Sequence, residues 1–87
     1  MTAWSIQWTE RAVRDVGSLD PPVARRIVAK LEEAARSPDR YFRRLASSED
    51  YKLRVGDYRL LAILFHEART ICVERVDHRS RVYERGR

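Results

Sequence analysis

Eighty-seven residues, 44% of them hydrophobic, suffice for one small domain with a single core and are too few for two. Trp4, Trp8, Phe42, Phe65 and several aliphatic runs exclude a disordered chain despite 36% charged residues. No apolar stretch is long enough to cross a bilayer and no basic-then-apolar leader opens the chain, which predicts no membrane contact and a cytoplasmic location. The net charge of +5 is uneven: residues 1–39 hold six basic and six acidic side chains, residues 40–87 hold twelve and seven. Sixteen of the 18 basic residues are arginine, a choice that suits phosphate because the guanidinium fork matches two of its oxygens; a GC-rich genome would give the same ratio, though not the asymmetry between the halves.

Trp4, Ile6 and Trp8 alternate with Ser5, Gln7 and Thr9, the pattern of a half-buried strand with its aromatic face inward. Thr9 then caps a short helix with Glu10 in its first turn, Ala12, Val13 and Val16 at apolar spacing, and Gly17 at its end. Asp20 and Pro21 mark the start of a second helix whose stripe is Val23, Ile27, Leu31, Ala34 and Ala35, stopped by Ser37-Pro38. Arg25, Arg26, Lys30, Glu32 and Glu33 form its solvated face. Beyond Pro38 the period shortens to that of strands: a short one in 41–46, then 51–55, 58–65 and 70–77, with a turn at Glu67-Ala68. LLAILF is apolar on both faces, as in a central strand. Helices cover one side, leaving Arg59, Leu61, Ile63 and Phe65 on a basic and apolar surface that a lone chain leaves open. The expectation is a single α+β domain over 1–87 in two layers: an N-terminal strand, two helices, then a mainly antiparallel meander.

Several chemistries have no sequence basis. No glycine-rich phosphate loop is present, and His66 and His78 stand apart without the spacing of metal ligands, so neither cofactor nor metal is expected. Both histidines read as rim residues. Cys72, the single cysteine, lies in an apolar strand and reads as core packing.

What remains is cationic. Gly56-Asp57 closes a two-residue hairpin turn, a register that pairs Val55 with Tyr58 and Arg54 with Arg59. Period-two alternation then puts Lys52, Arg54 and Arg59 on one face. A directly opposed like-charge pair costs up to about 1 kcal/mol, so a fold that assembles three cations points to an anion that they hold. Arg79, Arg81 and Tyr83 follow in DHRSRVYER, where the exit of the last strand would bring Arg79 and Tyr83 toward the hairpin. Such a group can grip a phosphate, stabilise a pentacovalent transition state and stack a base. A general patch for any polyanion fits the composition equally well.

The strand, helix pair and meander, with YKLRVGDYR followed by HRSRVY, resemble the RelE/ParE superfamily of prokaryotic toxins over nearly the whole chain. The resemblance implies a two-layer fold of two helices against a mainly antiparallel sheet. It also implies the toxin role in a type II toxin–antitoxin pair, with a short, helix-rich, acidic antitoxin as partner in a hetero-oligomer. RelE-type members cleave mRNA in the ribosomal A site; ParE-type members poison DNA gyrase; a non-catalytic module that binds its partner or operon is a third alternative. The RelE-type set implies catalytic roles for Lys52, Arg54, Arg59, Arg79 and Tyr83; Arg43, Arg44, His78 and Arg81 are the candidates for further RNA contacts, and the open apolar surface at Leu61, Ile63 and Phe65 is the expected antitoxin seat. The implied reaction is metal-free attack of a 2′-OH on the adjacent phosphate, giving a 2′,3′-cyclic phosphate and a 5′-OH. Lys52 and Arg54 would stabilise the phosphorane, with Lys52 the candidate base; Arg59 would hold phosphate, Arg79 assist the leaving oxygen and Tyr83 stack the base.

Overall fold

The computed structural model describes residues 3–46 and 48–78. The chain runs β1 (Ser5–Trp8), α1 (Glu10–Gly17), α2 (Pro21–Ala34), α3 (Pro38–Tyr41), β2 (Arg43–Arg44), β3 (Tyr51–Val55), β4 (Tyr58–Phe65) and β5 (Thr70–His78). The five strands form one sheet in the order β1-β5-β4-β3-β2, in which β1 runs parallel to β5 and all other neighbours are antiparallel. This is the expected α+β architecture, with one turn of helix added at α3. Ser37 and Pro38 do end α2, but proline is also suited to a first helical turn, and Pro38 starts a new one. Tyr41 therefore belongs to α3, and the strand expected in 41–46 shrinks to Arg43–Arg44.

The core lies between the helices and one face of the sheet. Ile27, Leu31, Ala34 and Ala35 of the α2 stripe meet Leu53, Val55, Leu60, Ala62, Leu64, Ile71, Val73 and Val76 from β3, β4 and β5. Trp4, Ile6 and Trp8 pack against this cluster half-buried, and the Trp4 amide donates to the Ala35 carbonyl at 2.9 Å, fixing the start of β1 to the end of α2. Ala12 and Val16 of α1 face inward, whereas Val13 is 56% exposed, because one residue around a helix from Ala12 is about 100° off the buried face.

Helix α1 continues the sheet where β1 stops. The side chain of Thr9 caps it by accepting from the Ala12 amide (3.0 Å) and donates to the Glu74 carbonyl (3.0 Å); the Asp15 carboxylate accepts from the Val76 amide (2.9 Å). These two contacts serve backbone groups of β5 beyond its pairing with β1. Among the described residues no helix is long and apolar enough to cross a membrane.

Candidate functional site

The register of β3 and β4 is the one the turn demands: Val55 opposes Tyr58 and Arg54 opposes Arg59. Gly56 makes this possible with φ +60°, a conformation costly for a residue with a Cβ. The face away from the helices can then be mapped row by row across the sheet. One row reads Arg43, Lys52, Leu61, Arg75 and the next Arg54, Arg59, Asp77. Further along, Ile63 lies beside Cys72 and Phe65 beside Thr70. One half of this open face is cationic and the other apolar.

Tyr41, Arg43, Lys52, Arg54 and Arg59 line a cavity of about 200 Å³ in the cationic half. Arg59 lies deepest, only 8% exposed, while Arg43 and Arg54 are exposed and Lys52 is half-buried. Asp77, itself 7% exposed, stands directly across from Arg59 and accepts from Arg75 at 3.0 Å, so the innermost cation has an anion at its back while the outer ones face solvent. Tyr41 enters from α3, its hydroxyl donating to Glu33 at 2.7 Å and its ring lying 5.1 Å from Lys30 Nζ. That bond to a carboxylate raises the phenol above its ordinary value, since ionising the phenol would oppose two anions.

Of the residues expected in a site, Lys52, Arg54, Arg59 and Arg43 share this cavity. Arg44 does not: strand alternation turns it to the other face, where its Nε donates to the Ser48 carbonyl at 3.1 Å. His78 opposes Tyr58 at the end of β5, the two rings edge to face at 5.3 Å, on the face away from the cations. Arg79, Arg81 and Tyr83 lie outside the described residues. Leu61 and Ile63 are half-buried and Phe65 is 48% exposed in the apolar half, as the alternation predicted. Cys72, expected in the core, is instead a half-buried member of that same open face, opposite Ile63. Reasoning from sequence missed Tyr41 and Asp77. Tyr41 was open to discovery through Pro38 as a helix start, whereas Asp77 needed the β4/β5 register, which a one-residue irregularity between Leu61 and Ala62 shifts.

A larger cavity of about 610 Å³ lies between the α1–α2 connection and the end of β5. Four of its charged residues are already mutually engaged: Asp15 lies 3.5 Å from Arg11 and 3.8 Å from Arg75, and Arg75 also meets Asp77. This network ties α1 to the sheet. The smaller cavity, with four cations and no carboxylate in its lining, is the stronger anion site.

The sequence matches the family described as ParE toxin of type II toxin–antitoxin system, parDE, over residues 6–83. No curated protein sequence matches. Among solved structures, the fold resembles a chain of the RelBE2 toxin–antitoxin complex from Mycobacterium tuberculosis, with 30% identity, a TM-score of 0.81 and coverage of 92% of this chain and 95% of the other. A chain of the intact Escherichia coli RelBE toxin–antitoxin complex matches at 27% identity and TM-score 0.73, covering 87% and 96%. A chain of the chromosomal ParDE system from Pseudomonas aeruginosa shares the fold at 15% identity and TM-score 0.68, covering 87% and 96%.

Proposed function

We propose that the chain, which belongs to the ParE toxin family of type II toxin–antitoxin systems within the RelE/ParE superfamily, is a ribosome-dependent mRNA endonuclease. That it is a toxin with a cognate antitoxin follows from the family; the reaction is our reading of the site. The observation that carries it is the gathering of Arg43, Lys52, Arg54 and Arg59 around one cavity small enough to hold a phosphate. Similarity at 27–30% identity to chains of RelBE complexes supports the same branch.

In this reading a 2′-oxygen attacks the adjacent phosphorus and the bond to the 5′-oxygen breaks, leaving a 2′,3′-cyclic phosphate and a 5′-OH. The phosphorane gains negative charge, which Lys52, Arg54 and Arg59 meet at fixed positions. Lys52 takes the 2′ proton in this scheme. Arg79 meets the departing oxygen and Tyr83 stacks the base, roles carried by the resemblance. The cavity lining offers little to read a base sequence, so the ribosome supplies much of the alignment, an effect that can contribute up to about 7–11 kcal/mol. The antitoxin covers Leu61, Ile63 and Phe65, and its carboxylates meet the neighbouring arginines.

The test is a translating extract programmed with one defined message, with ends mapped by primer extension. We expect cuts in translated mRNA with cyclic phosphate ends, little cleavage of free RNA, and resistance at a 2′-deoxy substitution of the scissile nucleotide. Intact message under translation would sink this reading. The match to a family described by ParE favours a second one, gyrase inhibition, and loss of supercoiling activity beside intact mRNA would establish it.

A further inference from the structure

We propose that Arg26 and Lys30 of α2, together with Arg54 of β3, form a phosphate-binding cradle that carries single-stranded RNA out of the cation cavity and past the β3–β4 turn. The inference rests on the ribonuclease reading and extends it to a surface that sequence reasoning assigned to solvent.

Two cavities share a wall. The one of about 200 Å³ holds Arg54 among its cations, and a second of about 400 Å³ is also bordered by Arg54, with Arg26, Lys30, Glu33 and Gly56. Arg26 is not simply an outward-pointing helix residue: its Nη1 would stand 3.8 Å from a Cβ placed on Gly56, so the guanidinium sits over the hairpin turn. A helix residue and a strand residue thus converge on one concave surface next to the proposed reaction centre.

Charge along this path is one-sided. The two linings contribute Arg26, Lys30, Arg43, Lys52, Arg54 and Arg59 against a single carboxylate, Glu33. That carboxylate is engaged, one oxygen accepting from Tyr41 and the other 3.9 Å from Lys30, and it holds the Tyr41 ring at the boundary between the cavities. Arginine forks beside an aromatic ring are the combination that tracks a single strand, phosphates on the cations and bases against the ring. An acidic protein segment fits less well. The residues lining the second cavity offer no large exposed apolar side chain as an anchor, whereas Phe65 supplies one in the apolar half of the open face.

The experiment is a salt titration by fluorescence anisotropy, using a labelled 12-nucleotide oligouridylate that is 2′-O-methylated throughout and so cannot be cut. Wild type, Arg26→Gln, the double variant Arg26→Gln/Lys30→Gln, and Lys52→Ala are compared, with melting curves to verify folding. Each lost phosphate contact should reduce the slope of log K against log salt by about 0.7, hence about 1.4 for the double variant and about 0.7 for Arg26→Gln, whose exposed side chain can be changed without touching the core. If the α2 variants keep the wild-type slope while Lys52→Ala lowers it, the cradle is overturned and the ribonuclease reading stands. Should none of the variants change the slope, both fall. Weakened binding of the antitoxin with an unchanged RNA slope would also overturn the cradle, giving this surface to a protein partner.

Discussion

The four cations of the small cavity differ in what they cost the fold. Arg54 is exposed and Lys52 half-buried, and each has at least one cation beside it in register. Changing either to Ala should lower mRNA cleavage on the order of 100-fold, the scale for removing one transition-state donor, with a melting temperature unchanged or slightly raised. Arg59 behaves differently: it is buried with Asp77 across the sheet, and its loss removes a cation facing a buried carboxylate that still meets Arg75, two residues back on β5. Arg59→Ala should therefore abolish cleavage and also destabilise, by about 3 kcal/mol or somewhat less in chemical denaturation. Glu74 gives a pH test. Burial first, then the hydrogen bond and charge of Asp50, push its carboxyl above the ordinary value. The folded chain then binds more protons than the unfolded one in the window between the two values, so stability rises as pH falls through the raised value and levels off below the ordinary one. Glu74→Gln should melt higher than wild type near neutral pH, and the difference should shrink as acidification approaches the ordinary Glu value of about 4.3. A constant difference would remove Glu74 from the explanation.

At the scale of elements, the site depends on two junctions. The β3–β4 hairpin sets Arg54 against Arg59, and its turn requires Gly56 in the left-handed region. A Cβ there would meet Arg26 at an ordinary 3.8 Å, so the penalty of Gly56→Ala is conformational, about 1–2 kcal/mol. Thr9 joins α1 to β5 through two hydrogen bonds, one capping and one to the Glu74 carbonyl, and Thr9→Ala should cost about 1–2 kcal/mol in urea unfolding. A value near zero would mean that Asp15 and the backbone bond from the Thr9 amide to the Val73 carbonyl suffice to hold α1 at the sheet edge. At the opposite edge β2 is only two residues long and both are arginine, a short charged strand that resists pairing with other chains while placing Arg43 beside Lys52.

The whole molecule presents one sheet face to its helices and leaves the other open, with the open face divided into a cationic end and an apolar end. Under the function proposed above, this division would let one surface serve two occupants, an RNA phosphate at the first and antitoxin at both. Phe65, at 48% exposure, contributes little to the isolated fold but offers the largest apolar anchor there. Phe65→Ser should leave the melting temperature of the free toxin within a few degrees and weaken the antitoxin complex by about 2 kcal/mol, measured by calorimetry. Undiminished affinity would move the antitoxin's seat elsewhere on the molecule.

The sequence alone determined whatever depends on near neighbours. Helix α1 with its Thr9 cap, the stripe of α2, the β3–β4 register and the shared face of Lys52, Arg54 and Arg59 all follow from local periodicity and turn chemistry, because each involves residues a few positions apart. The family was legible for the same reason: its motif YKLRVGDYR is that hairpin. The tertiary structure decided what depends on strands distant in sequence. It placed Asp77 behind Arg59, moved Cys72 from the core to the open face, turned Arg44 away from the cluster, and brought Tyr41, Arg26 and Lys30 to its margin. Each of these follows from the pairing of β5 with β4, from an edge strand only two residues long, or from the packing of helices beside β3. Local sequence carries no record of those long-range contacts, since many partners satisfy the same hydrophobic pattern equally well.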